Sequence, residues 1–385
     1  MKKLLPLLIL SFGFMGSAYS KICDETSTIQ IRNDVLFLPN QTQPFSGENL
    51  CAYENGQHKV QGEYTNGLKD GKWTSWGENG IKKIELVYML GSLQTKTLFS
   101  PIHYQKVEQT NYTNGIEEIS IAWIYFDNGK LKEKKSFKNK KRHGIATYWY
   151  QKGNKEYEGN FIDGVPNGVW IHWHENGKKE EEGVMVNGAR NGTSTHWDEN
   201  GIKLDEINYM DGKINGLWRS FHKNGQKYRD RYFEKGKRVG KEITWHPGGQ
   251  IAEVGNYKLD KMAGVWTSYY PSGQKMEEGI RDYLHRLGIW TNWYENGQKS
   301  SEGAYIHMGI FPHGKWTEWY KNGQKKSEGS YAYDEPPDNG PDGVWSYWNK
   351  NGQKTNAMFK DGKCISGDCS ASKNTRWSLE DSEEI

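Results

Sequence analysis

Two histidine residues in this sequence have a spacing that could hold a metal ion. His172 and His174 lie two residues apart, so on a β-strand both would face one side and could bind a metal with a third ligand. A position three residues before a recurring glycine holds either histidine or tyrosine: His174, His222, His246, Tyr270, Tyr294 and Tyr320. This exchange favours a packing role for the histidines. Motifs such as HExxH, GxSxG and the Walker loop are absent from the sequence. We therefore expect no catalytic residue, metal or cofactor, and no enzymatic activity.

The four cysteines lie near the two ends of the chain, at Cys23, Cys51, Cys364 and Cys369. The Cys-x4-Cys spacing near the C-terminus lacks the second pair or the nearby histidines that a zinc site needs. Disulfides are the alternative, and four cysteines allow three pairings. Two local pairs would close the two ends, but the sequence does not choose between the pairings.

The first 20 residues have the pattern of a secretory signal peptide. Lys2 and Lys3 precede an apolar run from Leu4 to Met15, and Ala18 and Ser20 provide small residues at a cleavage site. Cys23 would be the third residue after cleavage, so a lipid anchor is not indicated. We expect a secreted or periplasmic protein that associates with the cell envelope or is released.

Composition indicates local packing of aromatic rings instead of one large core. Only 35% of residues are hydrophobic and the mean hydropathy is −0.92, yet the chain has 17 Trp, 23 Tyr and 12 Phe. Disordered chains are poor in aromatic residues, and an ordinary Rossmann or barrel enzyme has more aliphatic bulk. The 51 basic and 48 acidic residues leave a net charge of +3. This near balance argues against nucleic acid as a partner.

Internal repetition predicts the fold. Glycine closes an Asn-Gly-like turn at Gly56, Gly80, Gly129, Gly153, Gly177, Gly201, Gly225, Gly249, Gly273, Gly297, Gly323 and Gly352. Eight of the eleven gaps between these glycines are 24 residues long, and the extra residues of the last two gaps fall in 308–312 and 335–338. We predict an all-β protein: about thirteen β-hairpin repeats over residues 51–363, stacked into an elongated antiparallel single-sheet solenoid.

The pairing within each hairpin follows from the turn. A two-residue type I′ turn at Asn296-Gly297 would pair Tyr294 with Lys299 and Trp290 with Gly303. The same register predicts the pairs Trp170–Gly183, Trp266–Gly279 and Trp316–Gly329. A tryptophan ring that covers its bare cross-strand glycine would explain both residue types.

Two faces follow if this register is unbroken. Lysine recurs two residues after the turn glycine and would share one face with the outer tryptophan, while an acidic residue five after it would share the other face with an inner aromatic residue. The candidate binding residues on the first face are Trp170, Trp218, Trp266, Trp290, Trp316, Tyr270, Tyr294, Tyr320, Lys275, Lys299 and Lys325. The alternative is structural: the charges keep a thin sheet soluble and the rings hold neighbouring strands together.

The unit Gly-x-Trp-x-x-Trp/Tyr-x-x-Asn-Gly-x-Lys-x-x-Glu-Gly-x-Tyr resembles the MORN repeat variant of bacterial secreted, YwqK-type antitoxin-like proteins. The resemblance covers about 310 residues and implies a hairpin solenoid used for binding. Because solenoids bind along extended faces and aromatic residues dominate contact energies, we expect a protein partner, with an antitoxin or immunity role as a special case. Cell-wall glycan and membrane phospholipid are the alternatives. Residues 21–50 would form an N-terminal cap that includes a strand pair, and residues 364–385 a cysteine-containing end with a mobile acidic, serine-rich tail.

Overall fold

The computed structural model describes residues 20–283, 285–306, 311–332 and 340–374. Within these ranges the chain is all-β, as predicted, apart from a single 3-10 helix at Cys369–Asn374. The predicted signal peptide, except for Ser20, and the tail beyond Asn374 lie outside the described residues. No helix in the described ranges has the length and apolar character needed to cross a membrane.

The chain divides into two compact units between Val165 and Pro166. The strands of the first unit are β1 Ser20–Ile22, β2 Gln30–Arg32, β3 Val35–Phe37, β4 Gly47–Ala52, β5 His58–Thr65, β6 Leu68–Trp76, β7 Lys82–Met89, β8 Ser92–Phe99, β9 Lys106–Thr113, β10 Ile116–Tyr125, β11 Leu131–Lys138, β12 Lys141–Arg142, β13 Gly144–Trp149 and β14 Lys155–Ile162. From β4 onward each strand pairs antiparallel with the next, apart from the short β12, and β11 also pairs with β13.

The strands of the second unit start with β15, which begins at the division. They are β15 Val165–Trp173, β16 Lys179–Val186, β17 Ala189–Arg190, β18 Gly192–Trp197, β19 Lys203–Met210, β20 Lys213–Phe221, β21 Lys227–Glu234, β22 Lys237–Arg238, β23 Gly240–Trp245, β24 Ile251–Lys258, β25 Lys261–Tyr269, β26 Lys275–Tyr283, β27 His285–Trp293, β28 Lys299–Ile306, β29 Phe311–Trp319, β30 Lys325–Tyr331, β31 Pro341–Trp348, β32 Lys354–Lys360 and β33 Lys363–Gly367. They also form an antiparallel meander. The strands on either side of the short β17 and β22 pair directly with each other, as β16–β18 and β21–β23.

Both ends of the repeat array carry additional structure. The predicted strand pair near the N-terminus is the β2–β3 hairpin, and Leu36 and Phe45 pack there against Tyr64 and Trp73. Strand β1 pairs in parallel with β4. Two disulfides form within the ends, Cys23–Cys51 and Cys364–Cys369, which are the two local pairs.

Two kinds of turn occur in the described part of the chain: the turn at Asn-Gly within a hairpin, and the turn that connects one hairpin to the next. The sequence predicts the type I′ turn at Asn-Gly, but it lies at the connection. At Asn296-Gly297 only the glycine has a positive φ, 84°, and Tyr294 N–H donates to the Gln298 carbonyl at 2.8 Å. This closes a three-residue loop that ends in a left-handed glycine. At the connecting turn Asp211-Gly212 both central residues are left-handed, with φ of 49° and 77°, as a type I′ turn requires.

The predicted tryptophan–glycine pairs are present. They are Trp170–Gly183, Trp266–Gly279, Trp290–Gly303 and Trp316–Gly329. The predicted tryptophan–glycine pairing is retained because one unpaired residue in the strand compensates for the extra residue in the loop. This residue is Ser300, which lies between the pairs Trp293–Lys299 and Asn292–Ser301.

The ring that covers each glycine is usually not the predicted one. A Cβ atom on Gly183 would lie 2.9 Å from Trp170, the predicted ring. A Cβ atom on Gly303, however, would lie 2.2 Å from Trp316, on the following strand. Gly303 pairs with tryptophan on both sides, and the indole of the following strand leans over it.

Candidate functional site

The unpaired Ser300 moves lysine to the other face of the sheet, so the predicted composition of the two faces is wrong. Lys299 pairs with Trp293, not with Tyr294. Because side chains alternate along a strand, Lys299 and Trp293 lie on the side opposite to Trp290. The acidic residue Glu302 lies on that same side. We call this side the Lys–Glu face, and the side of Trp290 and Gly303 the outer-Trp face.

A repeated ion-pair network covers the Lys–Glu face. Lys299 Nζ lies 2.5 Å from Glu302 Oε2, and Thr291 Oγ1 donates to the same carboxylate at 3.1 Å. The hydrogen bond from Lys299 holds the pKa of Glu302 below its ordinary value. The ammonium also lies 5.7 Å from the ring centre of Trp319 in the next hairpin. The same i,i+3 ion pair recurs at Lys82–Glu85, Lys155–Glu158, Lys179–Glu182, Lys203–Glu206, Lys275–Glu278 and Lys325–Glu328.

Four of the five candidate tryptophans are core residues. Trp290 has no exposed surface, and Trp266, Trp170 and Trp316 are 2%, 3% and 5% exposed. Trp218 is only partly buried, with Arg231 4.1 Å from its ring centre. The four buried tryptophans therefore hold the sheet together, as the structural alternative predicts, and do not offer a free surface.

Edge-to-face contacts and a hydrogen bond fix the ring of Trp316. Trp316 meets Tyr305 edge-on at 5.3 Å and Tyr331 at 6.1 Å. Its indole N–H donates to the Ala304 carbonyl at 3.2 Å. Such contacts between aromatic rings add to the burial of apolar area.

The candidate tyrosines connect consecutive hairpins. Tyr294 Oη donates to the Trp319 carbonyl at 2.8 Å, and Asn296 Nδ2 donates to the Lys321 carbonyl at 2.7 Å. The equivalent hydrogen bonds to the next hairpin come from Tyr53, His174, His222, His246, Tyr270 and Tyr320. The exchange of histidine for tyrosine at this position is thereby explained, since both donate the same hydrogen bond.

Sequence reasoning missed a second period of 48 residues. Arginine recurs at Arg142, Arg190, Arg238 and Arg286, and each guanidinium lies 4.2–5.4 Å from the centre of the aromatic ring 19 residues later, at Phe161, Tyr209, Tyr257 and Tyr305. These arginines help to cover the outer-Trp face. The spacing is readable in the sequence, but it becomes visible only when every second repeat is compared.

Two hairpins of the second unit replace the outer tryptophan with a polar residue. In the first of these hairpins Ser194 takes the tryptophan position, two residues before His196. The His196 ring contacts two carboxylates, with Nδ1 2.6 Å from Asp205 and Nε2 2.6 Å from Glu181. The hydrogen bonds that the His196 ring donates to these carboxylates, Asp205 first, raise the pKa of His196 to about 9.

The other polar replacement is Glu242, which is 6% exposed. Arg231 stands at the position that holds the covered glycine elsewhere. Burial raises the pKa of Glu242, and its Oε2 atom has no hydrogen-bond partner among the described residues. The ion pair of Glu242 is with Arg229, whose Nε lies 3.9 Å from Glu242 Oε1. Two charged residues, Arg231 and Glu242, thus replace the packed glycine and ring of the other repeats.

Exposed aliphatic side chains form a patch on the Lys–Glu face. Val265 pairs with Ile280, which pairs with Leu287, and Ile289 follows two residues later. Their exposed fractions are 53%, 42%, 49% and 67%. The patch crosses strands β25–β27 and borders the ion pairs of Lys275 and Lys299. Contiguous apolar surface of this kind marks interaction sites on soluble proteins.

Comparison with known proteins identifies the repeats. Seven segments match the family model described as MORN repeat variant, at residues 124–139, 142–163, 166–187, 238–259, 262–280, 286–307 and 312–333. A search of curated protein sequences returned no match.

Two solved structures illustrate the likeness of the chain to known structures. One is a crystal structure of TcdB2-TccC3-Cdc42, at 9% identity over 84% of this chain and 24% of that chain, with a TM-score of 0.18. Another is the Photorhabdus luminescens Tc holotoxin pore, at 9% identity over 86% of this chain and 23% of that chain, also with a TM-score of 0.18. The chain spans about a quarter of the length of these solved chains.

Proposed function

Because this chain is a MORN repeat protein, we propose that it is a non-catalytic scaffold that binds another protein through its Lys–Glu face. The observation that carries the proposal is the patch formed by Val265, Ile280, Leu287 and Ile289. These side chains expose between 42% and 67% of their surface although the neighbouring tryptophans are fully packed.

The surroundings of the patch suit a protein partner more than a lipid surface. The patch lies beside two ion pairs in which the lysine is already paired with a glutamate, Lys275–Glu278 and Lys299–Glu302. Paired charges give no net attraction to anionic lipid, which polybasic clusters recognise. An apolar centre with a polar rim is instead the usual anatomy of a protein interface.

We place this activity outside the cytoplasm. Two disulfides, Cys23–Cys51 and Cys364–Cys369, support that location, because disulfides persist in oxidising compartments. The predicted signal peptide agrees with it. An antitoxin or immunity role would be a special case, in which the partner is a toxin.

Quantitative affinity capture from a periplasmic and envelope extract tests the proposal. Ile289→Asp places a charge in the patch, and Lys241→Asp places the same charge at the equivalent position of a hairpin with the polar pair Lys241–Asn256. Both positions are exposed, so both variants should fold. We expect a partner that wild type and Lys241→Asp retain and Ile289→Asp loses. Equal retention by all three proteins would refute the proposed face.

A further inference from the structure

One hairpin departs from the repeat in a way that leaves an open cleft. Lysine two residues after the turn glycine occurs in nine of twelve repeats, and His58 takes its place in the first. In other repeats the lysine ammonium extends over an aromatic ring of the next hairpin, as Lys82 does over Phe99 at 5.2 Å. The shorter His58 instead meets Trp76 edge-on, with ring centres 5.8 Å apart.

The space left by the missing lysine is a cleft of about 440 Å³, lined by Asn55, Gly56, Gln57, His58, Trp76 and Gly80. This volume falls within the roughly 300–1,000 Å³ of ordinary ligand pockets. From this cleft we propose that the first hairpin binds a neutral pyranose sugar, a ligand separate from the protein partner of the second unit.

The lining has the chemistry that a sugar ring needs. The apolar C–H face of a pyranose packs on an aromatic ring, here Trp76, while its hydroxyls need planar polar groups at the edge. The Gln57 amide and the His58 imidazole supply these, and neither side chain makes a hydrogen bond within the described part of the chain. No lining residue is lysine, arginine, aspartate or glutamate, so the cleft favours an uncharged sugar.

The cleft is held in shape by neighbouring contacts. Tyr53 Oη donates to the Trp76 carbonyl at 2.9 Å, and Asn55 Nδ2 donates to the Glu78 carbonyl at 2.9 Å. Asn55 Oδ1 also accepts the Gln57 N–H at 3.0 Å. These bonds fix the two turns that form the walls, so little ordering is required when a ligand binds.

Saturation-transfer NMR and calorimetry with maltohexaose, cellohexaose and chitohexaose test the proposal on the full chain. We expect at least one of these neutral oligosaccharides to bind wild type and to shift the ring ¹⁵N signals of His58. His58→Lys restores the usual residue and fills the cleft, and Gln57→Ala removes a hydrogen-bonding group; each should weaken binding at least tenfold. Gln298→Ala, at the equivalent turn position of a hairpin that has its lysine, should leave binding unchanged.

Three results would overturn the sugar site: no binding of any of the three probes at millimolar concentration, binding that His58→Lys leaves unchanged, or tighter binding of an acidic oligogalacturonate. His58 and Gln57 are both exposed, so neither substitution should alter melting. If His58→Lys nevertheless fails to fold, Gln57→Ala decides the question by itself.

Discussion

The indole of Trp316 lies so close over Gly303 that a Cβ atom on the glycine would approach the ring to 2.2 Å. Gly303 is therefore part of the core and not only a flexible residue of the strand. The same contact recurs between Trp290 and Gly279 and between Trp266 and Gly255, with Cβ distances of 2.3 Å and 2.0 Å. Tryptophan and glycine at this spacing form one packing unit in the repeat.

The substitution Gly303→Ala tests this packing. The added methyl group must displace the Trp316 ring, and overpacking of this kind costs about 1–3 kcal/mol. Urea denaturation should show this loss in the free energy of unfolding. In the double variant Gly303→Ala/Trp316→Leu the two costs should be less than additive, because the smaller side chain leaves room for the methyl group. Strict additivity would contradict the contact.

The second prediction concerns the hydrogen bond that Tyr294 Oη donates to the Trp319 carbonyl at 2.8 Å. Tyr294→Phe removes the donor and should lower the free energy of unfolding by about 0.5–1.5 kcal/mol. Tyr232→Phe, which alters an exposed tyrosine, is the control and should have a smaller effect. Native-state hydrogen exchange should locate the loss at the hairpin turns on either side of Tyr294. Equal effects of the two variants would show that the bond does not connect the hairpins.

The period, the hairpins and the tryptophan–glycine pairs could be predicted from the sequence, because they depend only on spacing and strand alternation. The loop at Asn296-Gly297 could not. An Asn-Gly pair fits both a two-residue and a three-residue loop, and the choice depends on whether Asn296 takes a positive φ. Its side chain accepts the Gln298 N–H at 3.1 Å and stabilises the longer loop.

That one-residue difference changed the candidate site. It left Ser300 unpaired and moved Lys299 to the face of Glu302. Which ring covers which glycine was also beyond the sequence, since Gly303 has a tryptophan on both sides. The binding role of the candidate residues stays a prediction, and the structure redirects it from the tryptophans to the face that carries the lysines.

His196 predicts a pH dependence in the second unit. Its neighbours are Asp205 and Glu181, with Ser194 and Arg190 also bonded to Glu181. The pKa of His196 is raised from 6.5 to about 9 in the folded state, so the folded state binds the proton more tightly. The stabilisation is therefore complete below pH 6.5 and is lost as the pH rises towards about 9.

Melting curves measured between pH 6 and pH 10 check this prediction. The melting temperature of wild type should fall over this interval more than that of His196→Gln, which cannot take up the proton. Titration of the His196 ring by NMR gives the folded-state pKa directly. A midpoint at or below 6.5 would contradict the two-carboxylate arrangement.

The charged residues Arg231 and Glu242, which stand at the usual glycine and tryptophan positions, predict a stabilising change. Replacing both residues with the usual ones, as Arg231→Gly/Glu242→Trp, should restore a packed ring and glycine in this hairpin. Replacement of buried charged residues by apolar packing is often neutral or stabilising by about 1–4 kcal/mol. Glu242→Trp alone should be destabilising, because Arg231 occupies the space of the ring. A double variant less stable than that single variant would show that the two charged residues have a specific role.

The central claim is that the outer tryptophans form the core and that the Lys–Glu face is the free surface, and hydroxyl-radical footprinting of the free protein tests it most directly. Trp290 and Ile289 are neighbours with exposed fractions of 0% and 67%, and tryptophan is intrinsically far more reactive towards the radical than isoleucine. We predict that Ile289, Val265 and Leu287 are oxidised while Trp290 and Trp266 are protected. Rapid oxidation of Trp290 and Trp266 would contradict the claim, because it would place the tryptophans at the surface.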